Sequence, residues 1–438
     1  MTEAIKFHAE WEAVDGSRGD EIRATWARFS LHVNDFPVTR VLDSRSGCYR
    51  DHILVPLYPV TEWIVRNWWS LFHEPEVSDI GDYARRHDLR FGREGYAFPT
   101  LLFNPQGRWI ALQWGAVDYG AINFPSNGSA LVTRAELQGE LHRWVERVIG
   151  RLEECGIRRT LLQDEWEAIQ QASAEERAFC IAAAQTGLNP YSASEEESAT
   201  IVEVARHLPE SWHEEFFSAL KVDDLRAGAE RVLAAREAIL GAGFDLKPLG
   251  VVREAMSGPD TWPLKSKPWE AGYELARSLR QHMGIGSDPL PDEASLARVL
   301  GFRALPLKVM EGRKAGGHWL DGVVEQTRDG GGGLAVTARG EVSRRFAFCR
   351  GLLEILLGEG PVTSLVTSAR TERQKRNRAF AAELLAPANW LRGREWGRVL
   401  EEEAVEEAAA ELGVYSDVVR RQLLNHRIIE RDESTALP

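Results

Sequence analysis

At Thr133 the apolar pattern of the chain changes period, so no one layer of a single secondary structure accommodates both sides of it. Before that point Ala27, Phe29, Leu31 and Val33 alternate with Arg28, Ser30 and His32, the period of two that buries one face of a strand. Pro99-Thr-Leu-Leu-Phe103 and Arg108-Trp-Ile-Ala-Leu-Gln-Trp114 flank Asn104-Pro-Gln-Gly107, which is hairpin grammar with Pro and Gly at the turn. Between these strands, Pro59 to Phe72 sets Trp63, Asn67 and the Trp68–Trp69 pair at helical spacing and reads as one buried helix. After the change, Thr133-Arg-Ala-Glu136 is a capping box, and Leu137, Leu141, Trp144, Val145, Val148 and Leu152 run on as a helical stripe. Helical spacing continues to about residue 245, with Ser194 as a further cap.

The length of 438 residues suits two to four domains. The pattern predicts an α+β, multidomain chain: a mixed α+β domain over 1–132, an all-helical domain over 133–245, a Pro-, Gly- and Ser-rich linker over 246–267, and an α+β domain over 268–438. With 53 Lys and Arg against 66 Asp and Glu, the net charge is −13, which disfavours nucleic acid as a partner of the whole surface. The four cysteines lie far apart with no C-x-x-C pair, so no disulfide framework or cysteine zinc site is expected. The first residues carry no basic stretch followed by an apolar one, and no run of about 18 apolar residues occurs. The expectation is a cytoplasmic protein without membrane contact.

The last third has an informative order of elements. A strand, Gly333-Leu-Ala-Val-Thr337, leads into Arg344-Arg-Phe-Ala-Phe-Cys-Arg-Gly-Leu-Leu-Glu354. Asn377-Arg-Ala-Phe-Ala-Ala-Glu-Leu-Leu-Ala-Pro387 follows, then Leu412-Gly-Val-Tyr-Ser-Asp-Val-Val-Arg-Arg-Gln-Leu-Leu-Asn425. This resembles the ImmA/IrrE-like metallopeptidase family, in which a strand precedes an Arg-Phe-x-x-x-His-Glu-x-x-His helix. A later helix of that family contains Phe-Ala-Ala-x-Leu-Leu-x-Pro, and a small helical unit closes the domain. Phe380-Ala-Ala-Glu-Leu-Leu-Ala-Pro387 is the most specific match, and the resemblance covers roughly residues 268–430. It implies a zincin-like fold.

The chemistry of such a family needs two histidines four apart to hold zinc, with a glutamate between them to polarise water. The matching positions here are Arg350, Gly351 and Glu354, and the third ligand position falls at Arg376. Guanidinium stays protonated and does not ligate metal, so no metal and no cofactor are expected, and the replaced positions argue against catalysis. Two readings of Arg350 and Glu354 stay open. One is an i,i+4 surface pair. The other is that a guanidinium has replaced the metal cation and ties the former ligand positions together. Gly351 is either close packing or drift.

The resemblance therefore implies a degenerate, catalytically inactive pseudo-metallopeptidase acting as a regulatory or protein-interaction component, in prophage regulation or antiphage defence. Its docking groove would run along a strand edge carrying Leu334 and Val336, over a floor of Arg350 and Arg376, and would take an acidic protein segment. Two alternatives are an active peptidase using ligands such as Glu354 and Glu372, and a DNA-binding regulator using the 416–425 helix. The basic run Arg370 to Arg378 reads as a solvated helix face balanced by the acidic 401–407 segment, with nucleic-acid phosphate contact as the alternative, and Cys349 falls on an apolar stripe and reads as core.

Overall fold

The computed structural model describes residues 5–14, 19–76, 80–256, 267–310, 318–338, 340–397 and 400–429. The chain is α+β and divides into two compact units, Met1–Ile201 and Val202–Pro438, with the division inside the Glu195–His207 helix.

In the first unit, β1 (Ile5–Trp11) pairs antiparallel with β2 (Trp26–Val33), and α1 (Asp20–Ala24) lies between them in sequence. Ala27, Phe29, Leu31 and Val33 are fully buried, as their alternation predicts. The other edge of β2 takes β3 (Phe36–Pro37) and later β6 (Ile53–Pro56), while β4 (Val41–Asp43) and β5 (Cys48–Arg50) form a separate hairpin. The helix expected over 59–72 is two, α2 (Tyr58–Arg66) and α3 (Trp68–His73). The break falls at Asn67, where the backbone leaves helical geometry (φ −101°, ψ 14°) and the side-chain and backbone amides both donate to the Trp63 carbonyl. Trp68 and Trp69 are core residues, Trp68 packing edge-on against Trp166 with ring centres 5.0 Å apart. After α4 (Ile80–His87), β7 (Leu102–Gln106) and β8 (Trp109–Trp114) form the expected hairpin. Strands β9 (Val117–Asp118) and β10 (Ile122–Phe124) extend the β4–β5 hairpin, and β11 (Gly128–Thr133) adds to β8.

Thr133 caps α5 (Arg134–Glu154) through the reciprocal box with Glu136. The α5 stripe is buried with the strands, as are Trp166 of α6 (Leu161–Gln171) and Cys180 of α7 (Ala174–Gln185). The helices of 133–245, grouped above as one domain, are thus shared between the units, because α5 to α7 complete the core of the first one. Helix α8 (Glu195–His207) crosses the division.

The second unit continues with α9 (His213–Phe217), α10 (Leu225–Ala242) and α11 (Leu249–Met256). The expected linker over 246–267 is helical in this first part, because Leu249, Val252 and Met256 make a buried stripe. Its remaining residues, 257–266, lie outside the described ones. Helices α12 (Pro268–His282) and α13 (Glu293–Val299) lead to β12 (Leu307–Val309), β13 (Leu320–Gln326) and β14 (Gly332–Val336). Helix α14 (Glu341–Leu357), β15 (Val362–Thr367) and α15 (Glu372–Leu385) follow, then α16 (Ala388–Arg392), α17 (Glu402–Leu412) and α18 (Ser416–Asn425). The sheet runs β12-β14-β13-β15, with β12 parallel to β14 and β13 antiparallel to both its neighbours. Gly272 lets α12 approach α15 closely, since a Cβ there would overlap the Arg376 carbonyl oxygen.

Candidate functional site

Helix α14 lies on the sheet and α15 packs beside it, and Leu352, Leu353, Leu356, Phe380 and Leu384 are buried. Gly351 makes the contact with the sheet. A Cβ at 351 would collide with Leu334 Cδ2 and sit 2.9 Å from Val324 Cγ2. The glycine is therefore close packing, and the position has no room for a carboxylate side chain. Cys349 is buried in the same stripe, and burial pushes its thiol up to about 12, the reverse of what a nucleophile needs.

Arg350 and Glu354 do not pair with each other. Arg350 is 3% exposed and reaches Asp321 of β13, the Thr367 carbonyl at 2.5 Å and Gln374 Oε1 at 2.6 Å. Burial pulls its guanidinium down and Asp321 opposes that. Gln374, fully buried, also accepts from the Thr367 amide and donates to the Leu365 carbonyl, so it stitches α15 to β15. Glu354 turns to α15, accepting from Arg376 Nη2 and Asn377 Nδ2, each at 2.7 Å, and from Ser364 Oγ at 3.4 Å. Arg373, 3.8 Å from Glu354, also meets Glu215 of α9 at 3.1 Å. Glu215 is fully buried and accepts from Thr371 Oγ1 at 3.2 Å. Burial pushes its carboxyl up to about 7, against the opposing pull of Arg373.

These contacts match neither reading of Arg350 and Glu354. The i,i+4 surface pair is absent, because each side chain finds an oppositely charged partner on another element. Nor does the Arg350 guanidinium tie the former ligand positions together, since its partners are Asp321, Thr367 and Gln374, while Glu354 is bound by Arg376. The basic run is not a solvated face: Arg373 and Arg376 point inward to Glu215 and Glu354 rather than to 401–407.

The expected docking edge is corrected by the strand order. Leu334 and Val336 are fully buried on β14, an interior strand, because β12 occupies the edge they were expected to offer. Nor do Arg350 and Arg376 form an open floor, since Arg350 is buried against Asp321 and Arg376 is held by Glu354. On α18, Arg420 and Arg421 pair at the surface with Glu402 and Asp417. Among the described residues, no group of three or more His, Cys, Asp or Glu is placed to hold a metal ion, and no helix is long and apolar enough to cross a membrane.

Comparison with protein families, with curated proteins and with solved structures finds no match. The site residues that the sequence left unremarked are Asp321 and Glu215, which come from elements distant in the chain, and Ser364, which lies on β15 between the two helices. Gln374, Asn377 and Arg373 fall within the basic run, but nothing local said that these side chains turn inward.

Proposed function

We propose that the chain is a catalytically inactive, zincin-like protein that acts by binding a protein partner. One observation carries the reading: the Glu354–Arg376 pair closes two positions that the resemblance gives to zinc ligands, beside a Gly351 that has no space for a general base. A peptidase built on Glu354 and Glu372 would first have to strip Arg376 and Asn377 from the Glu354 carboxylate. The resemblance alone supports placing the partner among repressors or other proteins of prophage regulation and antiphage defence. Metal analysis of the purified chain tests the reading. We expect no stoichiometric zinc and a melting temperature indifferent to chelator. One zinc per chain, lost together with stability on chelation, overturns it.

A further inference from the structure

Helix α15 holds a third arginine, Arg378, whose partners differ in kind from those of Arg373 and Arg376. Arg378 Nη2 donates to the carbonyl oxygens of Thr367 at 2.9 Å and Ala369 at 2.8 Å, and it forms no ion pair among the described residues. Arg350 Nη2 donates to the same Thr367 oxygen at 2.5 Å, so two guanidiniums converge on one carbonyl. The carboxylate facing this pair is Asp321, which already bonds Arg350. Arg350 Nε is buried with no hydrogen-bond partner. Burial and then the Arg350 charge push the Arg378 guanidinium down to about 9, with Arg370 and Arg421 adding to that and Asp321 opposing it. Arg378 is protonated at neutral pH all the same, and it is only half-buried. Neighbouring like charges in a partly desolvated place are unfavourable until an anion joins them.

We infer that Arg378, backed by Arg350, is the cationic half of a docking site for a carboxylate-rich segment of a protein partner. Guanidinium offers a planar fork that matches carboxylate. A short acidic segment meets only the local surplus of positive charge, whereas a polynucleotide would have to lie over a chain of net charge −13. The inference rests on the reading of the chain as a binding protein, and metal analysis tests that reading separately.

The experiment is fluorescence anisotropy at low ionic strength with the full chain and a labelled oligoglutamate peptide. An oligoglutamine peptide and a single-stranded oligothymidylate are the comparison probes. Wild type should bind oligoglutamate and not oligoglutamine. Arg378→Gln should weaken binding about tenfold and Arg378→Lys less, each with a wild-type circular dichroism spectrum. Equal binding by Arg378→Gln, tighter binding of the oligothymidylate, or no binding of oligoglutamate by wild type overturns the site. A zinc-free chain that ignores the peptide loses this site alone, whereas a zinc-loaded chain loses the non-catalytic reading.

Discussion

The Glu354 carboxylate on α14 accepts a hydrogen bond from Arg376 on α15 at 2.7 Å, with the two side chains only 11% and 16% exposed. This contact joins two helices at a place where the resemblance calls for a metal to join them. A metal site gathers several ligands around one cation. Here the cation is itself a side chain, and Asn377, Ser364 and Arg373 complete the surroundings of the carboxylate.

Because the pair is mostly buried, its halves should depend on each other. Glu354→Gln and Arg376→Gln should each lower stability, Arg376→Gln by about 3 kcal/mol because a buried carboxylate would lose its main counter-charge. Glu354 keeps Arg373 at 3.8 Å as a weaker substitute. The double variant should lose less than the two single losses added together, with a coupling of about 1–3 kcal/mol. Urea denaturation of the four proteins measures it, and strict additivity would show that the pair is not an energetic unit.

Gly351 offers a test in the opposite sense to helix propensity. Alanine in a helix interior is better than glycine by about 1 kcal/mol. Here its methyl would meet Leu334 and Val324. We expect Gly351→Ala to be destabilising by about 1–3 kcal/mol, since a packed core has to shift to admit it. A variant more stable than wild type would return Gly351 to drift.

How far the sequence reached depends on the range of the forces involved. Local pattern was enough for α5, for the alternation in β2 and for the β7–β8 hairpin, because capping and periodicity are written within a few residues. It missed the break at Asn67, where the backbone leaves helical geometry in the middle of an apolar run. It also put β14 at a sheet edge, because nothing within Gly333 to Thr337 records that β12 pairs beside it. The site was half legible. Arg350, Glu354 and Arg376 were all singled out, yet the pairing was not readable. Asp321 and Glu215 stand 29 and 156 residues from the arginine and threonine that they bond.

Gln374 should be the most sensitive neutral residue of this network. It is fully buried, and its side chain serves Arg350, the Thr367 amide and the Leu365 carbonyl together. Gln374→Met keeps the volume and removes every hydrogen bond of the amide, leaving those three groups short of partners. The loss should be about 2–4 kcal/mol, more than a typical core swap of equal size. Thermal denaturation beside the control Leu384→Met decides, and equal effects for both would mean that the amide contributes no more than its shape.

The last expectation concerns pH and Glu215. Burial raises its carboxyl from an ordinary 4.5 to about 7, with Glu214 and Glu354 adding to the rise and Arg373 and Thr371 opposing it. The folded chain therefore holds a proton at Glu215 that the unfolded chain releases near 4.5. That proton supports the folded state fully below about pH 4.5, and the support disappears as pH rises to about 7. Gln at this position copies the protonated carboxyl and does not titrate. Glu215→Gln and wild type should accordingly be close in stability at acid pH. The variant should become the more stable by on the order of 1–3 kcal/mol as pH passes 7. Urea midpoints measured across that range give the difference directly. A difference that stays constant with pH would mean that Arg373 keeps Glu215 ionised throughout, and that the buried pair is a permanent salt bridge.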